Sequence, residues 1–382
     1  MITYSKQYID DADIKEVSKA LKSKFLTQGP AVLKFEKNIS KFVNSRYTLA
    51  TNSASSALLL ACQAIGLEDE DVAWTTTNTY VATANAILHC RAKVKFVDIS
   101  LKNYNICVDN LHKKLIEAKK KKLLPKLIIV VHFAGLPCPM KEIKQLSIIY
   151  KFKIIEDASH ALGAKYYKSK IGDCSYSDIC IFSFHPVKII TTGEGGAICT
   201  NNKKYFNIIK MLRSGGISRE KKIMLKKNNN ELYYEQHYLG YNFRLSDICA
   251  ALGNSQLKKI KNFQKKRKKI VAIYNKELAN LPLKLPPIYK NYESANHLYV
   301  IILENFNKDI FYSKLKKKGI QCNYHYIPLY KHPFYKTYNI RKNEFKNSEL
   351  YYKNAISLPL FPEMKKKSLL YIIKNIKKIL NT

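Results

Sequence analysis

A lysine stands in a glycine-rich turn after a strand-like stretch, where it could act as a nucleophile. Lys188 follows the apolar, β-prone segment "SDICIFSF" (177–184) and precedes "TTGEGG" (191–196). A lysine amine condenses with an aldehyde to form a Schiff base, and once released from that bond it can move protons. The ordinary alternative is a solvated lysine, because this chain is rich in lysine.

A carboxylate and an imidazole follow a second strand-like stretch. In "IIEDASHALG" (154–163), Asp157 closes the predicted strand and His160 comes three residues later. A carboxylate at this place could hold a proton on the nitrogen of a heterocyclic ring. The same aspartate could also cap a helix, which is its ordinary role.

Small residues open an apolar helical segment after "YTLATN" (47–52). In "SASSA" (53–57), Ser53 and Ala54 stand at the start of a helix predicted over 54–65. Backbone N–H groups and hydroxyls at the start of a helix can bind phosphate. A serine N-cap is the ordinary alternative for such a stretch taken alone.

The order of these three signals along the chain favours pyridoxal phosphate as a cofactor. That molecule needs a phosphate anchor, an acid that keeps its pyridine nitrogen protonated, and a lysine that holds its aldehyde. Ser53 with Ala54, Asp157 and Lys188 would serve these three needs in turn. The protonated ring would then withdraw electrons from a carbanion formed at the adjacent carbon.

Strands alternate with helices through the first part of the chain, which predicts an α/β fold with a large, mainly parallel sheet covered on both faces. The predicted strands are 93–99, 126–133, 153–159, 178–184 and 195–200, and the helices are 54–65, 109–122 and 139–150. Ligands of such sheets bind beyond the carboxyl ends of the strands, where the candidate residues fall.

The remaining chain predicts a loop, a long helix and a smaller α+β domain. Residues 218–236 are polar and lack periodicity, which indicates a mobile loop. A helical pattern follows over about 246–279, and "HLYVIIL" (297–303) then reads as a strand before a helix at 308–318. The predicted domains are a large cofactor-binding domain at 1–250 and a small C-terminal domain at 251–382.

The charge of the chain is strongly basic, and nearly all of it comes from lysine. The 382 residues carry a formal net charge of +37, yet arginine occurs only seven times. Arginine is the residue that makes bidentate contacts with phosphate and guanine. We therefore read the lysine runs as solvated helix faces and expect no nucleic-acid partner, while a non-catalytic nucleic-acid-binding protein stays as the alternative.

Other features of the chain argue against secretion, membrane insertion and metal binding. The start "MITYSKQYIDDADIKEV" lacks the apolar core of a signal peptide, and no segment approaches the ~18 apolar residues of a spanning helix. The nine cysteines are scattered without a CxxC pair, which predicts neither a disulfide framework nor a zinc site. We expect a cytoplasmic protein without a metal or a membrane partner.

Six motifs, in this order, resemble those of the DegT/DnrJ/EryC1/StrS sugar-nucleotide aminotransferases, a family of fold type I pyridoxal-phosphate enzymes. They are "FLTQGP" (25–30), "TNSASSAL" (51–58), "TNTYVATANA" (77–86), "EDASHALGA" (156–164), "SFHPVKIITTGEGG" (183–196) and "GYNFRLSDICAALG" (240–253). The resemblance covers essentially the whole chain. It implies a homodimer with two shared active sites that moves an amino group from L-glutamate to a nucleotide-linked keto sugar.

The resemblance also implies roles for individual residues. Lys188 matches the Schiff-base lysine, Asp157 the partner of the pyridine nitrogen, and His160 the neighbour of the cofactor's ring oxygen. The other implied cofactor contacts are Ser53, Ala54 and Ser183 at the phosphate, Tyr80 on the pyridine face, and Asn242 from the neighbouring subunit. The implied substrate contacts are Thr27, Thr192, His325 and Tyr326, with a structural turn as the alternative for Thr192 and an aromatic core for the last two.

Within the family, the chain most resembles the branch that aminates C4 of a UDP-linked 4-keto-6-deoxy-N-acetylhexosamine in pseudaminic acid synthesis. That likeness is carried by "SKFLTQGP" (23–30), "HFAGLPCPM" (132–140), "YHYIPLYKHPFY" (324–335) and "ISLPLFPEM" (356–364). Amination at C3, or of a dTDP or GDP sugar, stays open because related aminotransferases share most of the pattern. Relatives that dehydrate sugars carry histidine at the lysine position, and this chain has Lys188 there.

Overall fold

A computed structural model describes residues 1–226, 230–338, 340 and 342–381 of the chain, and its architecture is α/β. The helices are α1 (Asp11–Leu21), α2 (Pro30–Val43), α3 (Ala54–Ile65), α4 (Val81–His89), α5 (Val108–Lys120), α6 (Met140–Tyr150), α7 (Lys203–Leu212), α8 (Asp247–Leu278), α9 (Lys308–Lys317), α10 (Lys346–Asn354) and α11 (Lys366–Leu380). The strands are β1 (Tyr47–Thr51), β2 (Val72–Thr76), β3 (Lys93–Val97), β4 (Leu127–Val131), β5 (Lys153–Asp157), β6 (Lys165–Tyr166), β7 (Ser169–Lys170), β8 (Ile179–Ser183), β9 (Gly196–Thr200), β10 (Ile217–Ser218), β11 (Glu235–Gln236), β12 (Leu283–Lys284), β13 (Tyr292–Glu293), β14 (Tyr299–Leu303) and β15 (Ala355–Leu358).

The large sheet has the strand order β1-β9-β8-β5-β4-β2-β3, and only its β9 runs against the other strands. Neighbours from β8 to β3 pair in parallel, whereas β9 is antiparallel to both β1 and β8. The predicted mainly parallel sheet is therefore confirmed. Strands β1, β5 and β8 run in the same direction, so their last residues, Thr51, Asp157 and Ser183, lie at the carboxyl edge of the sheet. Gly196 begins β9 at this edge and pairs with both Thr51 and Ser183.

Both faces of this sheet are buried, as the alternation of side chains along β4 shows. Ile128 and Val130 belong to an apolar cluster on one face, which also contains Phe35 of α2. Leu127 and Ile129 belong to a cluster on the other face, which includes residues of α3, α4 and α7. Strands buried on both faces read as continuous apolar runs, and this is why β4 and β5 were recognisable from sequence.

The long helix α8 connects the large sheet to a second, antiparallel sheet of order β12-β14-β15. Phe263 of α8 packs in the core of the large sheet, while Ile270, Tyr274 and Leu278 belong to the core of the small sheet. Helix α8 therefore passes from the core of the large sheet to the core of the small sheet between Phe263 and Ile270. The division of the chain after residue 250 stays a prediction.

The loop predicted at 218–236 contains short elements where the structure describes it. Strands β10 and β11 pair antiparallel at its two ends, and residues 227–229 lie outside the described residues. Elsewhere, the strands are shorter than predicted, and the helix predicted over 54–65 matches α3. Within the described ranges, no helix combines the length and the apolar character needed to cross a bilayer.

The carboxylate of Asp247 joins the start of α8 to the start of α2. Its Oδ2 accepts a hydrogen bond from Gly29 N at 2.7 Å and its Oδ1 accepts one from Ala31 N at 2.8 Å. The Asp247 N–H donates to Leu26 O at 2.9 Å. Because α2 has no capping side chain of its own, this distant carboxylate satisfies its free amides and holds the turn that carries Thr27.

We predict that Asp247→Ala lowers the free energy of unfolding by about 2 kcal/mol, because buried amides of α2 lose a charged acceptor. Urea denaturation followed by circular dichroism measures this change. Asp247→Asn keeps one carbonyl acceptor and should lose less than the alanine variant. Equal urea midpoints for the wild type and Asp247→Ala would contradict this account of the cap.

Candidate active site

Lys188 lies in the loop after β8, at the carboxyl edge of the sheet. Burial lowers the pKa of its amine, the Asp157 carboxylate raises it, and the result is a pKa of about 8. In the part of the chain that the structure describes, no group accepts a hydrogen bond from the Lys188 Nζ. An amine with this pKa is neutral in an appreciable fraction near pH 7, which is the form that attacks carbonyl carbon.

The backbone of this loop is closed by its own hydrogen bonds. The Lys188 N–H donates to His185 O at 2.9 Å, and the Thr192 N–H donates to Phe184 O at 3.0 Å. The same Phe184 carbonyl accepts a bond from the Thr191 hydroxyl at 3.0 Å. These bonds hold Lys188 in one place, which a nucleophile requires.

The N-terminal segment ties this loop to the C-terminal part of the chain. Ser5 Oγ donates to Val187 O at 3.2 Å, and Tyr4 O accepts a bond from Leu360 N at 2.9 Å. Ser5 is buried. Sequence reasoning missed this contact, because no local pattern connects residues 182 positions apart.

Asp157 ends β5 with its carboxylate fixed by neighbouring donors. Thr83 Oγ1 donates to Oδ2 at 2.7 Å, while the Ser159 N–H and hydroxyl donate to Oδ1 at 3.1 and 2.6 Å. The residue is 5 % exposed. Oδ2 accepts a single hydrogen bond and therefore keeps a lone pair that can accept a hydrogen from a ligand. Sequence reasoning missed Thr83, which lies inside a quoted motif but 74 residues from Asp157.

His160 lies in a buried aromatic cluster at the same edge. The Tyr326 hydroxyl is 3.1 Å from His160 Nε2, and the His297 ring centroid is 4.4 Å from that of His160. Burial, the positive Lys188 and then His325 hold the pKa of His160 well below its usual range. Its Nδ1 is buried without a hydrogen-bond partner among the described residues. Sequence reasoning missed His297, which follows no recognisable motif.

Of the three residues predicted at a phosphate, Ser53 and Ala54 lie at the start of α3, and Ser183 ends β8 next to it. Ser53 is the N-cap, and its hydroxyl accepts a bond from Ser56 N at 3.1 Å. Gly196 approaches so closely that a Cβ there would lie 2.6 Å from Ser53 O and 2.7 Å from Ala54 N. Ser183 pairs with Gly196 in the β8–β9 ladder. Their contact with a phosphate stays a prediction.

Three further predicted residues are open to solvent in the single chain. Tyr80 caps α4, is 59 % exposed, and has its ring centroid 6.2 Å from that of Tyr326. Asn242 is exposed, and the carbonyl of the next residue, Phe243, accepts a bond from Asn52 N. Thr27 is exposed and forms a single β-bridge. Their roles toward cofactor, partner subunit and substrate stay predictions.

Thr192 and His325 are buried and have partners within the protein. The Thr192 hydroxyl donates to Glu194 O at 2.6 Å and closes the glycine-rich turn. His325 Nδ1 lies 2.8 Å from Ser357 Oγ, and burial followed by the Lys188 charge lowers the pKa of His325 to about 3. These contacts fit the structural alternatives considered from sequence, which were a turn for Thr192 and a packed core for His325. Contact with substrate stays a prediction for both residues.

These residues fit pyridoxal phosphate. The start of α3 offers amides and hydroxyls to a phosphate, and the tight approach of Gly196 leaves room only for backbone there. Asp157 can accept a hydrogen from a pyridine nitrogen, and Lys188 has a lowered pKa that leaves an appreciable neutral fraction to attack an aldehyde. The unpaired Nδ1 of His160 marks a further polar position that a ligand could satisfy.

A separate groove of about 1280 Å³ lies between α2, α8 and residues 286–300. Its lining includes eight lysines, namely Lys34, Lys41, Lys165, Lys170, Lys258, Lys261, Lys265 and Lys268. Glu293 is the one acidic residue among the described residues that line it. Neither Lys188 nor Asp157 contributes to this groove, so the basic surface and the candidate chemistry are in different places.

Comparison with known proteins gives matches along the whole chain. The DegT/DnrJ/EryC1/StrS aminotransferase family matches residues 7–377. The UDP-4-amino-4,6-dideoxy-N-acetyl-beta-L-altrosamine transaminase of Campylobacter jejuni (serotype O:23/36, strain 81-176) is 40 % identical over 378 residues, which cover 97 % of this chain and 96 % of that protein. The family expected from the six motifs is confirmed.

Two solved structures share the fold. PseC of Helicobacter pylori, an aminotransferase involved in the biosynthesis of pseudoaminic acid, superposes with a TM-score of 0.91 at 32 % identity over 100 % of this chain and 99 % of that one. Spr1654 of Streptococcus pneumoniae, described as a sugar aminotransferase and solved in its PLP form, gives 0.89 at 26 % identity over 100 % and 98 %. The predicted fold is confirmed.

We predict that the reactivity of Lys188 in cofactor-free protein rises with pH around a midpoint of about 8. Competitive labelling with trace acetic anhydride, read by mass spectrometry, measures this midpoint against Nα-acetyl-lysine amide in the same solution. An ordinary lysine titrates near about 10.4. Asp157→Asn removes the charge that raises the pKa, so its midpoint should fall. A midpoint near that of the reference amine, or a rise in Asp157→Asn, would contradict the geometry.

Proposed function

The chain belongs to the DegT/DnrJ/EryC1/StrS aminotransferase family, and we propose that it moves an amino group from L-glutamate to C4 of a UDP-linked 4-keto-6-deoxy-N-acetylhexosamine. It is a pyridoxal-phosphate-dependent sugar aminotransferase. The observation that carries the chemistry is that the half-buried Lys188 and the Asp157 carboxylate lie at the same edge of the sheet, where partial burial lowers the pKa of the amine to about 8. The choice of sugar rests on the similarity to the Campylobacter and Helicobacter proteins.

Pyridoxal phosphate, when bound, holds the migrating amine and withdraws electrons from the carbon next to it. Lys188 would hold its aldehyde carbon until an amino donor takes that place. The freed Nζ, in the neutral form that its lowered pKa makes available, would take a proton from Cα of L-glutamate. In the second half of the reaction the same Nζ would deliver a proton to C4 of the sugar.

The other residues of the site would bind and orient. Asp157, held by Thr83 and Ser159, would accept the hydrogen of the pyridine nitrogen. The start of α3 would bind the phosphate through Ser53 and Ala54, with Ser183 beside them. Tyr80 would pack on the pyridine face.

The sugar nucleotide would enter on the open side of the site. Tyr80 and Thr27 are exposed in the single chain. His325 and Tyr326 would approach the sugar from the C-terminal part of the chain, and Thr192 would line the glycine-rich turn. Substrate variants can test the four proposed substrate contacts, which are Thr27, Thr192, His325 and Tyr326.

We also propose a homodimer in which each site borrows Asn242 from the partner subunit. Asn242 is exposed, and Leu239 three residues before it is 85 % exposed. Phe25 and Leu26 are also close to half exposed, and the Asp247 N–H bonds Leu26 O. Exposed apolar side chains of this kind are typical of a surface that a second subunit covers.

The proposed reaction predicts two spectral changes. The visible absorbance of the holoenzyme should fade when L-glutamate is added, and it should return when a UDP-4-keto-6-deoxy-N-acetylhexosamine follows. Lys188→Ala should lower turnover by at least about a thousandfold, because it removes both the covalent anchor and the base. Lys258→Ala, at an exposed groove lysine, is the matched control and should behave as wild type.

Other outcomes of this experiment are equally definite. Fading with L-glutamate but no return with that sugar would keep the aminotransferase and redirect the search to C3 keto sugars or to dTDP and GDP sugars. A protein that stays colourless with added pyridoxal phosphate would contradict the proposal. A salt-sensitive shift of DNA mobility by that colourless protein would then favour the nucleic-acid alternative.

The shared site predicts complementation between two defective variants. Lys188→Ala and Asn242→Ala should each be weak alone, the second through poorer retention of cofactor. In mixed dimers one of the two sites has both residues intact, so random mixing should restore about a quarter of wild-type activity. Mixing after denaturation and refolding, compared with the unmixed variants treated alike, makes the measurement. No recovery, with mixed dimers shown by mass spectrometry, would contradict a shared site.

A further inference from the structure

We propose that Tyr326 is a positioning residue whose hydroxyl donates to His160 Nε2 and so fixes the imidazole in the tautomer with hydrogen on Nδ1. This inference rests on the proposed function, because it gives the Nδ1–H of that tautomer to the cofactor. It gives Tyr326 a task beyond the predicted contact with sugar. It also explains why a residue of the C-terminal part bonds a residue at the edge of the large sheet.

The first step is the direction of the hydrogen bond. The Tyr326 oxygen and His160 Nε2 are 3.1 Å apart. Burial, followed by the Asp157 charge, raises the pKa of Tyr326, so its hydroxyl keeps the hydrogen. Among the described residues this imidazole nitrogen is the only acceptor within reach of that hydroxyl. A buried hydroxyl that did not donate would lose the free energy of a hydrogen bond.

The second step is the charge of the imidazole. Burial is the largest cause that lowers the pKa of His160, and the charges of Lys188 and His325 act in the same direction. The ring is therefore neutral and carries one hydrogen. If Nε2 accepts from Tyr326, that hydrogen is on Nδ1.

The third step is to identify the acceptor for the Nδ1–H of His160. Nδ1 of His160 is buried without a partner in the described structure, although a donor left unpaired inside a protein is costly. His297 does not serve as its acceptor, because the two rings are in contact without a hydrogen bond from His160 Nδ1 among the described residues. A ligand oxygen is the remaining candidate, and the ring oxygen of pyridoxal phosphate is an acceptor of the right kind.

Tyr326 is itself held so that its hydroxyl stays in place. Its N–H donates to Asn78 Oδ1 at 2.9 Å. Its ring lies nearly parallel to that of His160, with centroids 6.1 Å apart and planes inclined by 23°. The ring of Phe133 meets it edge-on at 6.2 Å. The hydroxyl can therefore be removed while the packing of the ring stays.

The test reads the tautomer directly in cofactor-free protein. Nitrogen-15 NMR of histidine-labelled protein distinguishes a protonated ring nitrogen from an unprotonated one, and His160→Gln assigns the signals. The wild type should show a protonated Nδ1 and an unprotonated Nε2. In Tyr326→Phe the two signals should move toward each other, because both tautomers become populated. Tyr104→Phe is the matched control, since it removes a hydroxyl from the neighbouring apolar cluster and should leave the signals unchanged.

A protonated Nε2 in the wild type would overturn the proposal even if no variant folded. Signals that do not change in a folded Tyr326→Phe protein would overturn it as well. The cofactor link has its own readout, in which the dissociation constant for pyridoxal phosphate should rise roughly tenfold in Tyr326→Phe. An unchanged constant would overturn the role of Nδ1–H toward the cofactor.

These measurements separate this inference from the proposed function. The tautomer is measured without cofactor, donor or sugar. If the protein shows the predicted tautomer but transfers no amine, the hydrogen bond from Tyr326 to His160 is supported and the proposed function is contradicted. If the protein transfers the amine but shows the opposite tautomer, the proposed function is supported and this inference is contradicted.

Discussion

The partial burial of the Lys188 amine, at the edge of the sheet where the Asp157 carboxylate also lies, is the constraint on which the rest of the site depends. Burial lowers the pKa of the amine to about 8, and the carboxylate opposes that change. A stronger attraction would keep the amine charged and poorly nucleophilic. Thr83 and Ser159 give Asp157 hydrogen-bond donors of its own, so the carboxylate is stabilised without a closer cation. Burial is also the main cause that lowers the pKa of the neighbouring imidazoles of His160 and His325, which are neutral.

The topology of the sheet puts these two groups at one edge. Asp157 ends β5, Lys188 follows β8, and the two strands pair in parallel. Strand β9 then returns antiparallel, so Gly196 starts at the edge where β8 ends and presses against the start of α3. The antiparallel direction of β9 thereby brings the loop that carries Lys188 next to the N-terminus of α3. A wholly parallel arrangement would need a longer crossover at this point and would place that helix elsewhere.

Sequence reasoning reached the features that local patterns encode and missed those that depend on distant contacts. The start of α3 at Ala54 and the buried strands follow from capping chemistry and apolar runs. The direction of parallel strands then places Asp157 and the Lys188 loop at one edge. The bonds from Ser5 to Val187 and from Tyr326 to His160 join residues 182 and 166 positions apart. No periodicity selects such pairs, because they follow from how the N-terminal segment and the C-terminal part pack on the large sheet.

The lysine excess and the chemistry of Lys188 are physically separate. The two causes that shift the pKa of this amine are its burial and Asp157, and no lysine is among them. Exposed charges act over about 8 Å at physiological salt, whereas a buried pair is screened much less. Six of the eight groove lysines lie on α2 and α8 and are exposed, and the other two, Lys165 and Lys170, lie on β6 and β7. A net charge of +37 can therefore accumulate on the surface without altering the protonation of the one lysine on which the chemistry depends.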